Sequence, residues 1–209
     1  MALITPNVKR VSETIVFDIH VAQQRLSAKW STRPALLYFV RHFGCPFCKE
    51  GVAKLREFIN EFKRLDTEII IIGNGSPNQA KSFQERYAHD LPVFVDQTRE
   101  SYEAAGFKRS AWSTFGPKVF LAGLRALVKG YLPASVQGDV LQQGGALVVV
   151  PPDGMAIFHY ANQHSGDHPP LREIVTAIEA WRKTVPDLNK TTLGGRLPVP
   201  TPTAPPESK

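Results

Sequence analysis

The chain has 209 residues, of which 43% are hydrophobic and 21% charged, and its formal net charge is +6. This composition predicts a soluble globular protein of one domain with extensions, and the positive charge forms no Lys/Arg block of the kind that binds nucleic acid. No stretch reaches the roughly 18 uncharged apolar residues of a membrane span, and the N-terminus lacks a signal peptide's apolar core, so we expect a cytoplasmic location.

The N-terminal half of the sequence indicates strands and helices in alternation. Residues 1–10 are interpreted as a loose lead-in, and residues 14–21 as an amphipathic strand. The apolar face of this strand would consist of Ile15, Phe17, Ile19 and Val21. The continuous apolar run at residues 35–40 is typical of a strand buried on both faces of a sheet, and a second such run follows at residues 69–72.

The remaining elements complete an α/β pattern. Helices are predicted over residues 78–89, 97–105 and 171–181, with strands at 91–95, 146–150 and 155–160, of which the last two form a hairpin. Residues 107–143 interrupt this order as an insert, in which an apolar stripe at helical spacing predicts a helix over 116–132. Residues 11–183 are therefore interpreted as one domain, and the proline-rich residues 184–209 as a disordered or extended tail.

Two cysteines stand between the strand at residues 35–40 and an amphipathic helix that follows it. Pro46 is favourable at the first helical position, which places Cys45 at the N-cap and Cys48 about one turn in. A thiol at a helix N-terminus faces unpaired amide groups and the positive end of the helix dipole, so its thiolate is favoured. With Arg41 close by, this pattern predicts a reactive dithiol redox centre.

Two other interpretations of these cysteines stay open. Free cysteines are often small buried hydrophobic residues with no reactivity. A Cys-x-x-Cys pair can also be half of a zinc site, but the chain has no second pair, and His42 alone does not complete a tetrahedral ligand set. We therefore expect neither a metal nor another cofactor.

Residues 41–50 carry the block RHFGCPFCKE, which resembles the active-site block of the peroxiredoxin-like AhpC/TSA family. The nearest subgroup contains the prostamide/prostaglandin F synthases and the AhpC/TSA antioxidant-enzyme-domain proteins. Three further blocks agree, namely SYEAAGFKR at 101–109, GDVLQQGGALVV at 138–149 and SGDHPP at 165–170. The resemblance implies an α/β thioredoxin-like fold, with a central mixed sheet flanked by helices and a helical insert before the last hairpin.

The resemblance also implies a thiol oxidoreductase that reduces a small-molecule or lipid peroxide, or an endoperoxide, with electrons from thioredoxin or another dithiol. Cys45 would attack the O–O bond as a thiolate, and Cys48 would resolve the product to a disulfide. Arg41 would stabilise the thiolate and the departing oxyanion, and His42 would protonate the leaving alkoxide. Ordinary members carry threonine or serine at the position of His42 and proline at that of Tyr38, which favours a specialised substrate here.

Further candidates for substrate binding lie in the cysteine block, in the insert and in the loop at residues 138–145, which we call the glycine loop. These candidates are Phe43, Gly44, Phe47, Arg125, Gln142, Gly144 and Gly145. The apolar stripe of the insert either completes the core or forms the wall of a pocket for a lipid peroxide. His164, Asp167 and His168 are expected to cap the last helix. The alternative to an enzyme is a thioredoxin-like interaction or redox-sensing module.

Overall fold

The computed structural model describes residues 5–109, 128, 138–152 and 154–185. The strands in these ranges are β1 (Ile15–Phe17), β2 (Gln23–Arg25), β3 (Ala35–Phe39), β4 (Glu68–Gly73), β5 (Val93–Val95), β6 (Gly145–Val150) and β7 (Met155–Ala161). The helices are α1 (Val8–Glu13), α2 (Pro46–Glu57), α3 (Ile59–Arg64), α4 (Pro77–Phe83), α5 (Glu100–Ala104) and α6 (Leu171–Thr184). Across the described residues the seven strands form one mixed sheet, in the order β2-β1-β5-β4-β3-β6-β7.

The sheet separates two apolar cores. β3 pairs in parallel with β4 and antiparallel with β6, and all its residues are buried because a core covers each face of the sheet. Leu36 and Tyr38 contribute to the core beneath α2, α3, α4 and α6, whereas Leu37 and Phe39 contribute to the core beneath α1 and α5. The predicted strand buried on both faces, within a mixed sheet flanked by helices, is therefore confirmed.

The register of the central strands determines where the cysteine block lies. Phe39, the last residue of β3, is the register partner of Gly145, the first residue of β6. Because the two strands are antiparallel, the chain leaving β3 and the glycine loop entering β6 emerge at the same edge of the sheet. α2 begins a few residues after β3, so its N-terminus lies at this edge as well.

The N-terminal strand differs from the prediction. β1 spans only Ile15–Phe17, and Val16 is its fully buried residue while Ile15 is 40% exposed. The expected inward face is confirmed for Phe17, which packs with Ile19 against the core beneath α2, α3, α4 and α6, and is wrong for the exposed Ile15 and Val21. Val16 is buried in the other core, beneath α1, and the strand ends before Asp18. The Asp18 carboxylate accepts hydrogen bonds from the backbone N–H groups of His20 and Ala22, at 2.8 and 2.9 Å, and turns the chain.

Several helices also differ from the predicted spans. α1 begins inside the segment interpreted as a lead-in, with Asn7 as its N-cap. The cysteine helix ends at Phe58 and continues as α3, and the helix predicted over residues 78–89 is α4 followed by a π-helical turn at Gln84–Ala88. β2 was not predicted. Of residues 110–137 the structure describes Val128 alone, whose side chain is exposed, so the predicted insert helix, Arg125 and the tail after 185 lie outside the described residues.

Candidate active site

Both cysteines are reduced and lie at the N-terminus of α2. Cys45 is the N-cap and Pro46 begins the helix, as predicted. Cys45 is 1% exposed and Cys48 8% exposed, so the described part of the chain buries the dithiol almost completely. The backbone N–H of Arg41 donates to the sulfur of Cys48 over 3.2 Å, which ties the start of the helix to the chain leaving β3.

The guanidinium of Arg41 is buried beside the dithiol. Its Nη1 atom donates toward the sulfur of Cys45 over 3.8 Å. Its Nε donates to the carbonyl oxygen of Gln142 over 3.1 Å, and its Nη2 donates to the carbonyl oxygen of Val140. Because a guanidinium has donors in a planar fork, the two carbonyl groups of the glycine loop fix the direction in which the cation faces the sulfur.

The two thiols have opposite pKa shifts. Burial raises the pKa of Cys45, but the hydrogen bond from the Cys48 thiol, the charge of Arg41 and the amides of Cys48 and Phe47 outweigh it and lower the pKa to about 6. Burial raises the pKa of Cys48 well above its ordinary value, and the neighbouring Cys45 raises it further. Near neutral pH the pair therefore consists of a Cys45 thiolate and a protonated Cys48.

His42 is buried next to this pair. Burial, with the nearby charges of Arg41 and Lys49, lowers the pKa of His42 to about 4. Its ring is therefore neutral near pH 7 and carries a single N–H. The role of His42 as a proton donor stays a prediction, in which this N–H would supply the proton.

The glycines of the loop permit close approach of the backbone. A Cβ atom on Gly144 would lie 2.2 Å from the carbonyl oxygen of Phe39. A Cβ atom on Gly145 would lie 2.2 Å from the carbonyl oxygen of Tyr160 and 2.5 Å from the ring of Phe107. The glycines therefore let the loop pack against β3 and β7, which brings the Val140 and Gln142 carbonyls to Arg41.

Asn74 links the glycine loop to the chain at Arg41. It was not among the residues predicted from the sequence. Its side-chain Nδ2 donates to the carbonyl oxygen of Arg41, and its Oδ1 accepts from the backbone N–H of Asp139 over 2.5 Å. Asn74 is 2% exposed. The available signal was a polar residue directly after the apolar strand β4, at the edge of the sheet where the cysteines also lie.

The other candidates for substrate binding occupy different surroundings. Phe43 is in the core, where its ring centroid lies 5.4 Å from that of Phe83. Gln142 is buried, and its Nε2 donates to the carbonyl oxygens of Phe107 and Gln143, at 3.1 and 3.0 Å. Gly44 is buried in the turn before α2. A role for any of them in substrate binding stays a prediction.

The residues expected to cap the last helix have other partners, so that expectation was wrong. Pro170 is the N-cap of α6, with no side-chain hydrogen bond. The Asp167 carboxylate accepts from the Tyr160 hydroxyl over 3.0 Å and from the backbone N–H of Gln163 over 2.8 Å. Nε2 of His168 lies 3.5 Å from Oε2 of Glu50. The loop before α6 packs against β7 and α2 before the helix begins.

A Cys-x-x-Cys dithiol at a helix N-terminus, beside a mixed sheet flanked by helices, defines the class of thioredoxin-like thiol oxidoreductases. Within the described ranges, no group of three or more His, Cys, Asp or Glu side chains is placed to hold a metal ion. The sequence pattern of the AhpC/TSA antioxidant enzymes matches residues 54–164, more than half of the chain. The chain belongs to this family. The matched segment begins after both cysteines.

Relatives from other organisms agree with this family. The chain is 31% identical over 170 residues to the thioredoxin-like protein AAED1, chloroplastic, of Arabidopsis thaliana, a match covering 78% of this chain and 68% of that protein. It is 29% identical over 184 residues to human peroxiredoxin-like 2C, covering 83% and 80%. It is 26% identical over 178 residues to the prostamide/prostaglandin F synthase of Salmo salar, covering 82% and 87%.

Solved structures show the same fold. Peroxidoxin BcpB from Mycobacterium tuberculosis superposes with a TM-score of 0.60 at 14% identity, covering 85% of this chain and 98% of that one. The predicted thioredoxin-like fold and the assignment as a peroxiredoxin-like thiol oxidoreductase are thus confirmed. In the part of the chain that is described, no helix has the length and apolar character to cross a membrane. The cytoplasmic location stays a prediction.

Proposed function

We propose that this chain reduces a peroxide or endoperoxide through Cys45 and Cys48 and is returned to the dithiol by a thioredoxin-type reductant. The observation that carries the proposal is the placement of the Arg41 guanidinium 3.8 Å from the sulfur of Cys45. This cation favours the thiolate, whose pKa is about 6. The same cation is suited to stabilise the oxyanion that develops when an O–O bond breaks next to the sulfur.

The proposed reaction has three steps. The Cys45 thiolate attacks one peroxide oxygen, so that an S–O bond forms and the O–O bond breaks. The leaving alkoxide takes a proton, for which His42 is the proposed donor, its neutral imidazole regaining a proton from water at the other ring nitrogen. Cys48 then attacks the sulfenic acid on Cys45, which forms the disulfide and releases water. An external dithiol reduces that disulfide by exchange and is itself oxidised.

We further propose that the substrate carries a hydrocarbon body. Two observations support this: the apolar stripe of the insert sequence, and the similarity to a relative named prostamide/prostaglandin F synthase. Each buried methylene contributes about 0.8 kcal/mol, so four of them would favour a lipid peroxide over hydrogen peroxide by roughly two decades in affinity. Arg125, Gln142 and the glycine loop stay the proposed contacts.

The test of the chemistry is a count of free thiols after one equivalent of peroxide. Wild-type protein should lose both thiols and regain them with thioredoxin, thioredoxin reductase and NADPH. Cys48→Ser should lose its single thiol to a sulfenic acid, and Cys45→Ser should keep Cys48 reduced. If no peroxide oxidises Cys45, the chain is better explained as an interaction or redox-sensing module.

The substrate class is tested by second-order rate constants for Cys45 oxidation. Hydrogen peroxide, a long-chain alkyl hydroperoxide and a lipid endoperoxide are compared at one pH. We expect a lipid compound to react about 10²-fold faster than hydrogen peroxide. Equal or faster oxidation by hydrogen peroxide would show that the insert has a structural role.

A further inference from the structure

A buried acid–base cluster lies beside Cys48, and the proposed reaction as written above does not use it. Glu50 follows Cys48 by two residues on α2, and its side chain is 2% exposed. Its Oε2 lies 3.5 Å from Nε2 of His168, which comes from the loop before α6. Its Oε1 lies 3.5 Å from Nζ of Lys54, one turn further along the helix. A buried carboxylate is thus placed between a cation and an imidazole.

Gly51 lets the imidazole of His168 approach α2 closely, three residues after Cys48. The place that a Cβ atom on Gly51 would occupy lies 2.6 Å from the Tyr38 hydroxyl oxygen and 3.0 Å from Nδ1 of His168. Residues three apart lie on the same face of a helix, so this face is the one that carries Cys48. A larger residue at position 51 would displace either the hydroxyl or the imidazole.

Cys48 and His168 both line a narrow cleft. Cys48, Tyr38, Ser165, Asp167 and His168 are among its lining residues. Its volume is about 10 Å³, which is roughly the room of a single water molecule. The cleft therefore has the size for one-water proton transfer between the thiol and the imidazole, and it is too small for a substrate.

His168 is the base that this cluster offers. Both oxygens of Asp167 already accept hydrogen bonds, from the Tyr160 hydroxyl and the backbone N–H of Gln163. Burial raises the pKa of Tyr38 far above its usual value, so its hydroxyl stays protonated. Several titratable or charged groups line the cleft or contact His168 and its neighbours. In the described part of the chain these are Tyr38, Arg41, Cys48, Glu50, Lys54, Tyr160 and Asp167.

Cys48 needs such a base. Burial is the first cause that raises its pKa above the ordinary value, and burial remains when Cys45 is oxidised, so Cys48 is still a thiol near neutral pH. A thiol is a poor nucleophile until it loses its proton. The second step of the proposed reaction therefore requires a proton acceptor close to Cys48.

We propose that His168, oriented by Glu50, accepts the proton of Cys48 through one water molecule as Cys48 attacks oxidised Cys45. This inference rests on the proposed function, because it assumes a sulfenic acid on Cys45. The S–H bond of Cys48 breaks, the S–S bond forms, and the S–O bond of Cys45 breaks. The hydroxide that leaves takes the proton from His168 and departs as water. Cys48 is oxidised and the sulfenic sulfur is reduced, with no further reactant.

The test separates the two steps in full-length protein. Sulfenic acid formation is followed with a dimedone-type probe, and disulfide formation by rapid quench and alkylation, each across a range of pH. The variants are His168→Gln and Glu50→Gln, which keep approximately the original volume. His164→Gln is the matched control, because His164 lies in the same loop and does not line the cleft.

We expect His168→Gln to form the sulfenic acid at the wild-type rate and the disulfide about 10²-fold more slowly near pH 7. Its disulfide step should become first order in hydroxide, a change of pH profile that a merely structural role would not produce. Glu50→Gln keeps the base, so it should show a smaller loss and no first-order dependence on hydroxide. If His168→Gln does not fold, the rate of disulfide formation in Glu50→Gln decides the question.

Disulfide formation in both variants at the wild-type rate and with the wild-type pH profile would overturn the role of His168. A sulfenic acid that forms in the wild type but resolves independently of both residues would leave the proposed function intact. Wild-type protein that forms no sulfenic acid with any peroxide would overturn the proposed function and this inference together.

Discussion

Phe39 at the end of β3 and Gly145 at the start of β6 are register partners in an antiparallel pair. The chain that leaves β3 and the loop that enters β6 therefore run side by side at one edge of the sheet. The first of these segments carries Arg41 and the cysteines, and the second carries the carbonyl groups that hold the guanidinium. The site is assembled by this register.

Replacing Arg41 by Met should raise the pKa of Cys45 from about 6 by one to three units, because a cation close to the thiolate is lost. The ultraviolet absorbance of the thiolate, titrated against pH, measures the shift. Arg41→Lys should give an intermediate value, since Lys keeps the charge and loses the fork. Arg33→Met is the control, because Arg33 forms exposed ion pairs with Asp66 and Glu68. An unchanged titration in Arg41→Met would show that Arg41 does not stabilise the thiolate.

Limiting iodoacetamide near pH 7 should alkylate Cys45 before Cys48. Exposure alone would favour Cys48, at 8% against 1%. Ionisation favours Cys45 more strongly. The pKa of Cys45 is about 6 and that of Cys48 lies well above its ordinary value, so the thiolate fraction of Cys45 is larger on the order of 10²-fold or more. Peptide mapping of the singly alkylated protein identifies the site. Faster labelling of Cys48 would reverse the assigned roles.

The stability of the reduced protein should rise between pH 6 and about 8.5. The pKa of Cys45 is about 6 when folded and about 8.5 when unfolded, so the unfolded state binds more protons in this window. The thiolate's contribution is fully present above the unfolded pKa and is lost as pH falls through the folded pKa. Its size is on the order of a few kcal/mol, at about 1.4 kcal/mol per unit.

Urea unfolding of reduced protein at several pH values measures this rise in the free energy of unfolding. In Cys45→Ser the rise should be absent or much smaller, because the thiol with the lowered pKa is gone. A variant that retains the whole rise would assign the pH dependence to other groups.

Replacing Asn74 by Ala should lower both the stability and the thiolate fraction. The change leaves the Arg41 carbonyl and the Asp139 N–H without their shared partner, which costs about 1–3 kcal/mol for buried groups. It also loosens the loop that orients Arg41, so the pKa of Cys45 should rise. Thermal unfolding and the thiolate titration measure the two effects. Asn78→Ala, at an exposed position of α4, is the control for the amide-to-methyl change.

The elements closest to the chemistry could be predicted from the amino-acid sequence alone. The apolar run of β3, the N-cap position of Cys45 and the proline that begins α2 follow from local rules, because strand burial and helix capping depend on neighbouring residues. The blocks that carry the family resemblance were visible for the same reason, since their residues are contiguous. Arg41 was a candidate because it stands next to the cysteines in the chain.

Contacts between side chains from distant segments depend on tertiary packing and could not be predicted from residue order. The burial of the opposite face of β1 was missed because the burial of Val16 depends on the packing of α1, which local alternation does not report. Asn74 and His168 stand far from the cysteines along the chain and reach their surroundings through strand register and loop packing. The pKa difference between Cys45 and Cys48 likewise arises from burial and from Arg41's orientation, which depend on contacts across the sheet edge rather than on residue order.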